Sequence, residues 1–138
     1  CLAYYSDFGR GLDLVAPGGG TDTFDRDLSS GSSDRTNCSV QNAGPTIYQM
    51  TFTSSVRKFW LPSNYQGTSM ASPHVSATAA LVVASGVIGA DPTPAALQAH
   101  LEATARDLGA PGKDLRYGAG LVNAAAAVGA PATSRTNR

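Results

Sequence analysis

Residues 67–84 run Gly67-Thr68-Ser69-Met70-Ala71-Ser72-Pro73-His74-Val75-Ser76-Ala77-Thr78-Ala79-Ala80-Leu81-Val82-Val83-Ala84. This stretch predicts the strongest helix of the chain, from Ser69 to about Ala84. Thr68 reads as its N-cap, because a threonine oxygen accepts a backbone N–H of the first turn. Pro73, four residues in from Ser69, reads as a first-turn proline, where the missing N–H costs little. Beyond it, Val75, Ala77, Ala79, Ala80, Leu81, Val82 and Val83 leave hardly any polar face. A helix apolar nearly all round is a buried one, and in a chain of 138 residues that implies surrounding layers of protein.

Working outward, Gly86 and Gly89 stop this helix, and Asp91-Pro92-Thr93-Pro94 starts another with Thr93 as cap and Pro94 at its first position. Leu97, Leu101, Thr104 and Leu108 recur at helical spacing and form one apolar stripe; His100 flanks it and reads as a surface residue. Gly109 to Gly112 is a turn, Gly118-Ala119-Gly120-Leu121-Val122-Asn123 leads into a short alanine-rich helix, and residues 131–138 read as a flexible tail. Upstream of the serine, residues 47–54 and 56–61 are β-prone and close together, which predicts an antiparallel pair. In the first of these, Ile47, Gln49, Thr51 and Thr53 fall on one face and Tyr48, Met50 and Phe52 on the other. Residues 3–9 read as a short strand or strand end, and Leu12-Asp13-Leu14-Val15-Ala16 as a buried strand stopped by Pro17 and the glycines after it. Residues 18–46 are rich in Gly, Ser, Asp, Thr and Asn without periodicity, which marks a polar insert loop.

Composition narrows the function classes. Ten basic and ten acidic residues give zero net charge, so the chain has no electrostatic footprint for nucleic acid or an anionic membrane. No apolar run approaches the ~20 residues that span a bilayer. Charged residues make up 14%, against about 25% in an ordinary soluble domain, which again points to surface covered by more protein. The chain opens on Cys1 with no charged-then-apolar leader and is expected to be an excerpt of something longer. Cys1 and Cys38 fit neither a zinc cluster nor a disulfide-dense miniprotein; they form either one bridge or two free thiols. His74 and His100, the only histidines, have no cysteine or carboxylate around them at metal-ligand spacing. Asp22, Asp25, Asp27 and Asp34 miss the spacing of a calcium loop and read as a solvated acidic loop. Asn37-Cys38-Ser39 matches a glycosylation sequon, a tripeptide common by chance.

The chemistry is concentrated at Ser69. A serine on the first turn of a helix sits at the positive end of the helix dipole, beside backbone N–H groups able to stabilise an oxyanion. Gly67, with no Cβ, lets a substrate main chain come close. Those features suit an activated nucleophile, although a Gly-Thr-Ser before a helix is by itself usually a plain cap. The string from Gly67 to Val75 resembles the active-site serine segment of the subtilisin-like serine proteases, the subtilases. Tyr5-Ser6-Asp7-Phe8-Gly9 with Leu12-Asp13-Leu14-Val15-Ala16-Pro17-Gly18 resembles the family's strand before the serine loop, and Tyr117-Gly118-Ala119-Gly120-Leu121-Val122-Asn123 the segment closing its catalytic domain. The resemblance covers roughly residues 3–128 apart from the insert, and the secreted bacterial members are the most similar. An α/β-hydrolase elbow fits less well, because Ala71 stands where that motif needs a second glycine.

This resemblance implies an α/β fold of which residues 1–130 form the C-terminal part: a mainly parallel sheet, a β-hairpin before the serine and a buried helix after it. It implies Ser69 as the nucleophile with its own N–H as one oxyanion donor, and Gly67 and Thr68 bordering the substrate site. The implied reaction is peptide-bond hydrolysis through an acyl-enzyme, with no cofactor and no metal on this chain; calcium would belong elsewhere in a full enzyme. The implied partners are a peptide or protein substrate and the N-terminal part of the same catalytic domain, in a secreted bacterial protein. No segment here matches the family's catalytic Asp, its His or its oxyanion Asn, so these are expected upstream and the isolated chain is expected to be inactive. His74 is no substitute: five residues beyond Ser69 on one helix, at about 100° per residue, its ring points away from the hydroxyl. It reads as a core histidine. The rival reading is a non-catalytic folding or interaction module that keeps an idle Ser69.

Overall fold

A computed structural model of the chain describes residues 2–3, 5–19, 46–52, 54–62 and 65–130. Cys1, Cys38, the four aspartates of the insert, the sequon and the tail lie outside the described residues. In chain order the elements are β1 (Thr51–Phe52), β2 (Phe59–Trp60), α1 (Thr68–Ser85), α2 (Pro94–Thr104) and α3 (Ala124–Ala127). They fall in two compact units, one of Cys1–Phe8 with Pro17–Pro73 and one of Gly9–Ala16 with His74–Arg138.

In the first unit, the antiparallel pair forms as expected, with Thr51 opposite Trp60 and Phe52 opposite Phe59. The Phe52 and Phe59 rings meet at 4.8 Å with a 46° tilt, a favourable tilted aromatic geometry. The turn between the strands is closed by the Lys58 N–H donating to Ser55 O at 3.0 Å. Ile47 and Thr51 are half-buried while Tyr48, Met50 and Phe52 are exposed, as the period-2 reading expects, whereas Gln49 is exposed too and Thr53 lies outside the described residues. Tyr4 lies outside the described residues, and none of residues 3 and 5–9 is in a strand. The Ser6 N–H turns back onto Ala3 O at 2.9 Å.

In the second unit, residues 12–16 are extended but form a single parallel bridge, Val15 with Leu121, rather than a strand. Val15 N–H donates to Gly120 O at 3.0 Å, Val122 N–H to Val15 O at 2.9 Å, and Ala119 N–H to Asp13 O at 2.8 Å. The ladder stops there because its partner segment bends through Gly118 and Gly120, at φ +60° and +119°. A Cβ on Gly118 would strike Asp13 O, and one on Gly120 would strike Arg106 O, so both close approaches require glycine.

The core of this unit gathers around Val82, Leu101 and Ala127, with Leu14, Val75, Ala79, Ile88 and Leu97 packed against them. Val82 is fully buried, worth roughly 1.5–3 kcal/mol relative to exposure. Helix α2 begins where the sequence places it: Thr93 Oγ1 accepts the Ala96 N–H at 3.2 Å and Pro94 holds the first position. It ends at Thr104, so the stripe loses Leu108, because Ala105 turns extended at φ −63°, ψ 151° and Arg106 pairs with Leu121. His100 is not a surface residue. It is half-buried, with Nε2 2.7 Å from Ala127 O, tying α2 to α3. Lys113 Nζ donates to Asp13 at 2.9 Å and Glu102 at 3.3 Å; the Asp13 bond above all, with Glu102 adding, holds its ammonium above the usual lysine range.

Helix α1 departs from expectation in three ways. Its only buried residues are Thr78 and Val82; Ala77, Ala80, Leu81, Val83 and Ala84 are exposed. An all-round apolar pattern shows which surface can be covered, whereas the packing partners in this chain reach one side only. Thr68 is the first helical residue rather than the cap, since the Gly67 carbonyl takes the Met70 and Ala71 N–H groups at 2.9 and 3.2 Å. Pro73 consequently lies beyond the first turn and leaves the Ser69 carbonyl without its ordinary helical donor.

Candidate active site

The candidate site lies in the first unit, where the chain enters α1. Gly67 has φ +145°, a conformation L side chains rarely adopt. Its N–H donates to Gly18 O at 2.9 Å, and its carbonyl caps the helix through Met70 and Ala71. The sharp turn this creates presents Thr68 and Ser69 as exposed residues at the helix start, while Met70 is half-buried. Ser69 Oγ lies 3.7 Å from Met70 Sδ. A Cβ on Gly67 would come within 3.4 Å of Ser69 Oγ and 3.9 Å of Ser69 N, so the glycine keeps the space directly beside the hydroxyl open. With the Met70 and Ala71 N–H groups taken by Gly67 O, the Thr68 and Ser69 N–H groups are the first-turn donors without an intrahelical acceptor, at the positive end of the dipole. Such an arrangement can attack a carbonyl carbon and hold the resulting oxyanion.

The turn is backed by contacts that sequence reading missed. Tyr5 Oη donates to Gly19 O. The Ile47 N–H donates to Tyr65 O at 2.9 Å. A Cβ on Gly18 would meet Tyr5 Oη at 2.7 Å and Gly67 O at 2.9 Å, and one on Gly19 would meet Tyr65 O at 2.9 Å. The first two glycines of the expected insert are therefore part of the floor under the serine turn. No local signal reveals this, because Gly18 and Gly67 are far apart in sequence and meet through backbone atoms.

Gly67, Thr68 and Ser69 lie together where α1 begins, with Ser69 Oγ bonded to Met70 Sδ. His74 is half-buried on α1, its carbonyl accepting the Thr78 hydroxyl at 2.8 Å. Among the described residues no group of three or more His, Cys, Asp or Glu side chains is placed to hold a metal ion.

A model of the subtilase family matches residues 2–120, a span that takes in the Gly18 floor, the Gly67 turn and Ser69. The chain belongs to the subtilase family. An extracellular protease of Xanthomonas campestris pv. campestris is 38% identical over 127 residues, covering 91% of this subtilase chain and 17% of that protein. This chain thus spans about a sixth of the length of that curated relative. Among solved structures, a protease from Pseudoalteromonas arctica PAMC 21717 is 32% identical with a TM-score of 0.56, over 92% of this chain and 31% of that one. A lanthipeptide protease is 27% identical, also with a TM-score of 0.56, over 91% of this chain and 37% of that one. The fold is that of an α/β subtilase segment. No helix among the described residues is long and apolar enough to cross a membrane.

Proposed function

We propose that this chain is the serine-bearing, C-terminal part of the catalytic domain of a secreted serine endopeptidase. The observation that carries the reading is Ser69: an exposed hydroxyl on the first turn of α1, placed there by a glycine at φ +145°. In the proposed reaction Ser69 Oγ attacks the carbonyl carbon of a peptide bond while a histidine from elsewhere in the domain takes its proton. An aspartate orients that histidine. The oxyanion accepts the Ser69 N–H and an asparagine amide, and Gly67 and Thr68 border the bound peptide. Collapse expels the amine, which leaves with the histidine's proton, and water then hydrolyses the ester. Side chains and backbone amides suffice, so the reaction needs no cofactor.

The partners under this reading are a peptide or protein substrate and the N-terminal part of the same domain. That part supplies the missing triad members and covers the apolar α1 residues left exposed here, such as Leu81 at 52%. Two solved relatives of which this chain spans 31% and 37% support that division. The extracellular relative supports secretion.

Treatment of the full-length protein with a fluorophosphonate probe tests the reading. Stoichiometric labelling is expected on the peptide carrying Ser69. Ser69→Ala is expected to lose labelling and on the order of a millionfold in turnover. The isolated chain, without the base, is expected to stay unlabelled on the same timescale. An unlabelled full-length protein would favour an idle serine in a folding or interaction module, and a label on another residue would overturn the assignment of Ser69.

A further inference from the structure

We infer that Tyr5 is a positioning residue for the nucleophile, acting through the Gly18-Gly19 turn; this rests on the proposed role of Ser69. The tyrosine hydroxyl donates to Gly19 O. The neighbouring Gly18 carbonyl is the acceptor for the Gly67 N–H at 2.9 Å. Gly67 in turn supplies the carbonyl that starts α1, and Ser69 is two residues further on. One chain of hydrogen bonds therefore runs from a phenol to the peptide unit that aims the nucleophile.

The packing around this chain leaves no slack. A Cβ on Gly18 would sit 2.7 Å from Tyr5 Oη and 2.9 Å from Gly67 O, and a Cβ on Gly19 would sit 2.9 Å from Tyr65 O and 3.1 Å from Ile47 N. The Gly18-Gly19 turn is thus wedged between the tyrosine on one side and the serine loop on the other. Residue 67 lies at φ +145°, a conformation that L side chains rarely adopt. Its orientation depends on what its N–H is bonded to, and Gly18 O stays in place only while Gly19 is anchored. In this inference Tyr5 acts through Gly19 and not on the reacting atoms. Its hydroxyl sets where the first turn of α1 begins, and a shift of about 1 Å there is enough to cost up to a hundredfold in rate.

The test uses the full-length enzyme. Tyr5→Phe removes one oxygen and keeps the ring, so its packing is conserved. It is expected to lower kcat about tenfold with KM within twofold and with the melting temperature nearly unchanged. It is also expected to slow fluorophosphonate labelling of Ser69 by the same factor. Gly18→Ala is expected to lower kcat as well, through its contacts with Tyr5 Oη and Gly67 O. The two losses couple, because removing the hydroxyl relieves one of the two clashes; the double variant is expected to retain more activity than the product of the single losses predicts. A purely structural tyrosine would instead lower the melting temperature and leave kcat per folded enzyme intact. Tyr5→Phe with a parental kcat, or strictly multiplicative losses in the double variant, overturns the inference. If Ser69→Ala keeps parental turnover, the reading of Ser69 has failed instead, and the two failures are told apart by that control.

Discussion

Helices α1 and α2 begin in opposite ways. Helix α2 starts on local chemistry: Thr93 accepts the Ala96 N–H three residues on, and Pro94 presets the first helical φ. Helix α1 starts on a glycine whose N–H is bonded to Gly18 O, from a segment far back in the chain. The local start spends its side chain on the cap. The non-local start uses main-chain atoms alone and leaves the Thr68 and Ser69 side chains exposed at the helix end. A helix terminus built this way can carry a reacting hydroxyl, because the residue beside the dipole is not also its cap.

The largest effect that would break this contrast is expected at Gly67. Gly67→Ala forces a Cβ onto a residue at φ +145° and to 3.4 Å from Ser69 Oγ. Turnover of the full-length enzyme is expected to fall about a hundredfold, read as kcat at saturating peptide. A loss below threefold would mean that the non-local start does not hold the proposed nucleophile.

A smaller effect, tens of fold, is expected from oxidation of Met70, whose Sδ lies 3.7 Å from Ser69 Oγ. A sulfoxide oxygen there is polar and bulky beside the proposed reacting centre. Met50, 69% exposed, is the internal control and is expected to oxidise first without consequence. Dilute peroxide with peptide mapping separates the two. Activity that follows Met50 conversion, or survives full conversion of Met70, would detach Ser69 from a working site.

The smallest effect belongs to the local start. Thr93→Ala is expected to destabilise the first turn of α2 by about 1 kcal/mol, seen as faster hydrogen exchange of α2 amides in the full-length protein, with turnover unchanged. Thr93→Ser keeps an acceptor oxygen and is expected to restore protection. Loss of turnover in the Thr93→Ala variant would show that the local start is not independent of the chemistry.

What was legible in the sequence follows the same division. The Thr93 cap, the short alanine-rich helix after Asn123 and the antiparallel β1–β2 pair all depend on neighbours within a few residues, and they stand where the pattern puts them. The Thr68 cap was misread because Gly67 offers its carbonyl one residue earlier. Helix periodicity also overcounted the stripe at Leu108, since the Arg106–Leu121 pairing draws the chain out of the helix. His100 was read as exposed because nothing in its own helix foretells the Ala127 carbonyl it meets.

The sequence by itself determined that a long helix follows Ser69, that a hairpin precedes it, and which family the chain resembles. Those depend on side-chain periodicity, turn residues and a contiguous string, all of which are local. Only the tertiary structure decided how Gly67 is held, that Gly18 and Gly19 lie under the serine turn, and that Tyr5 reaches Gly19. Those contacts join backbone atoms of distant segments, and a backbone carbonyl carries no residue identity for a sequence pattern to reveal.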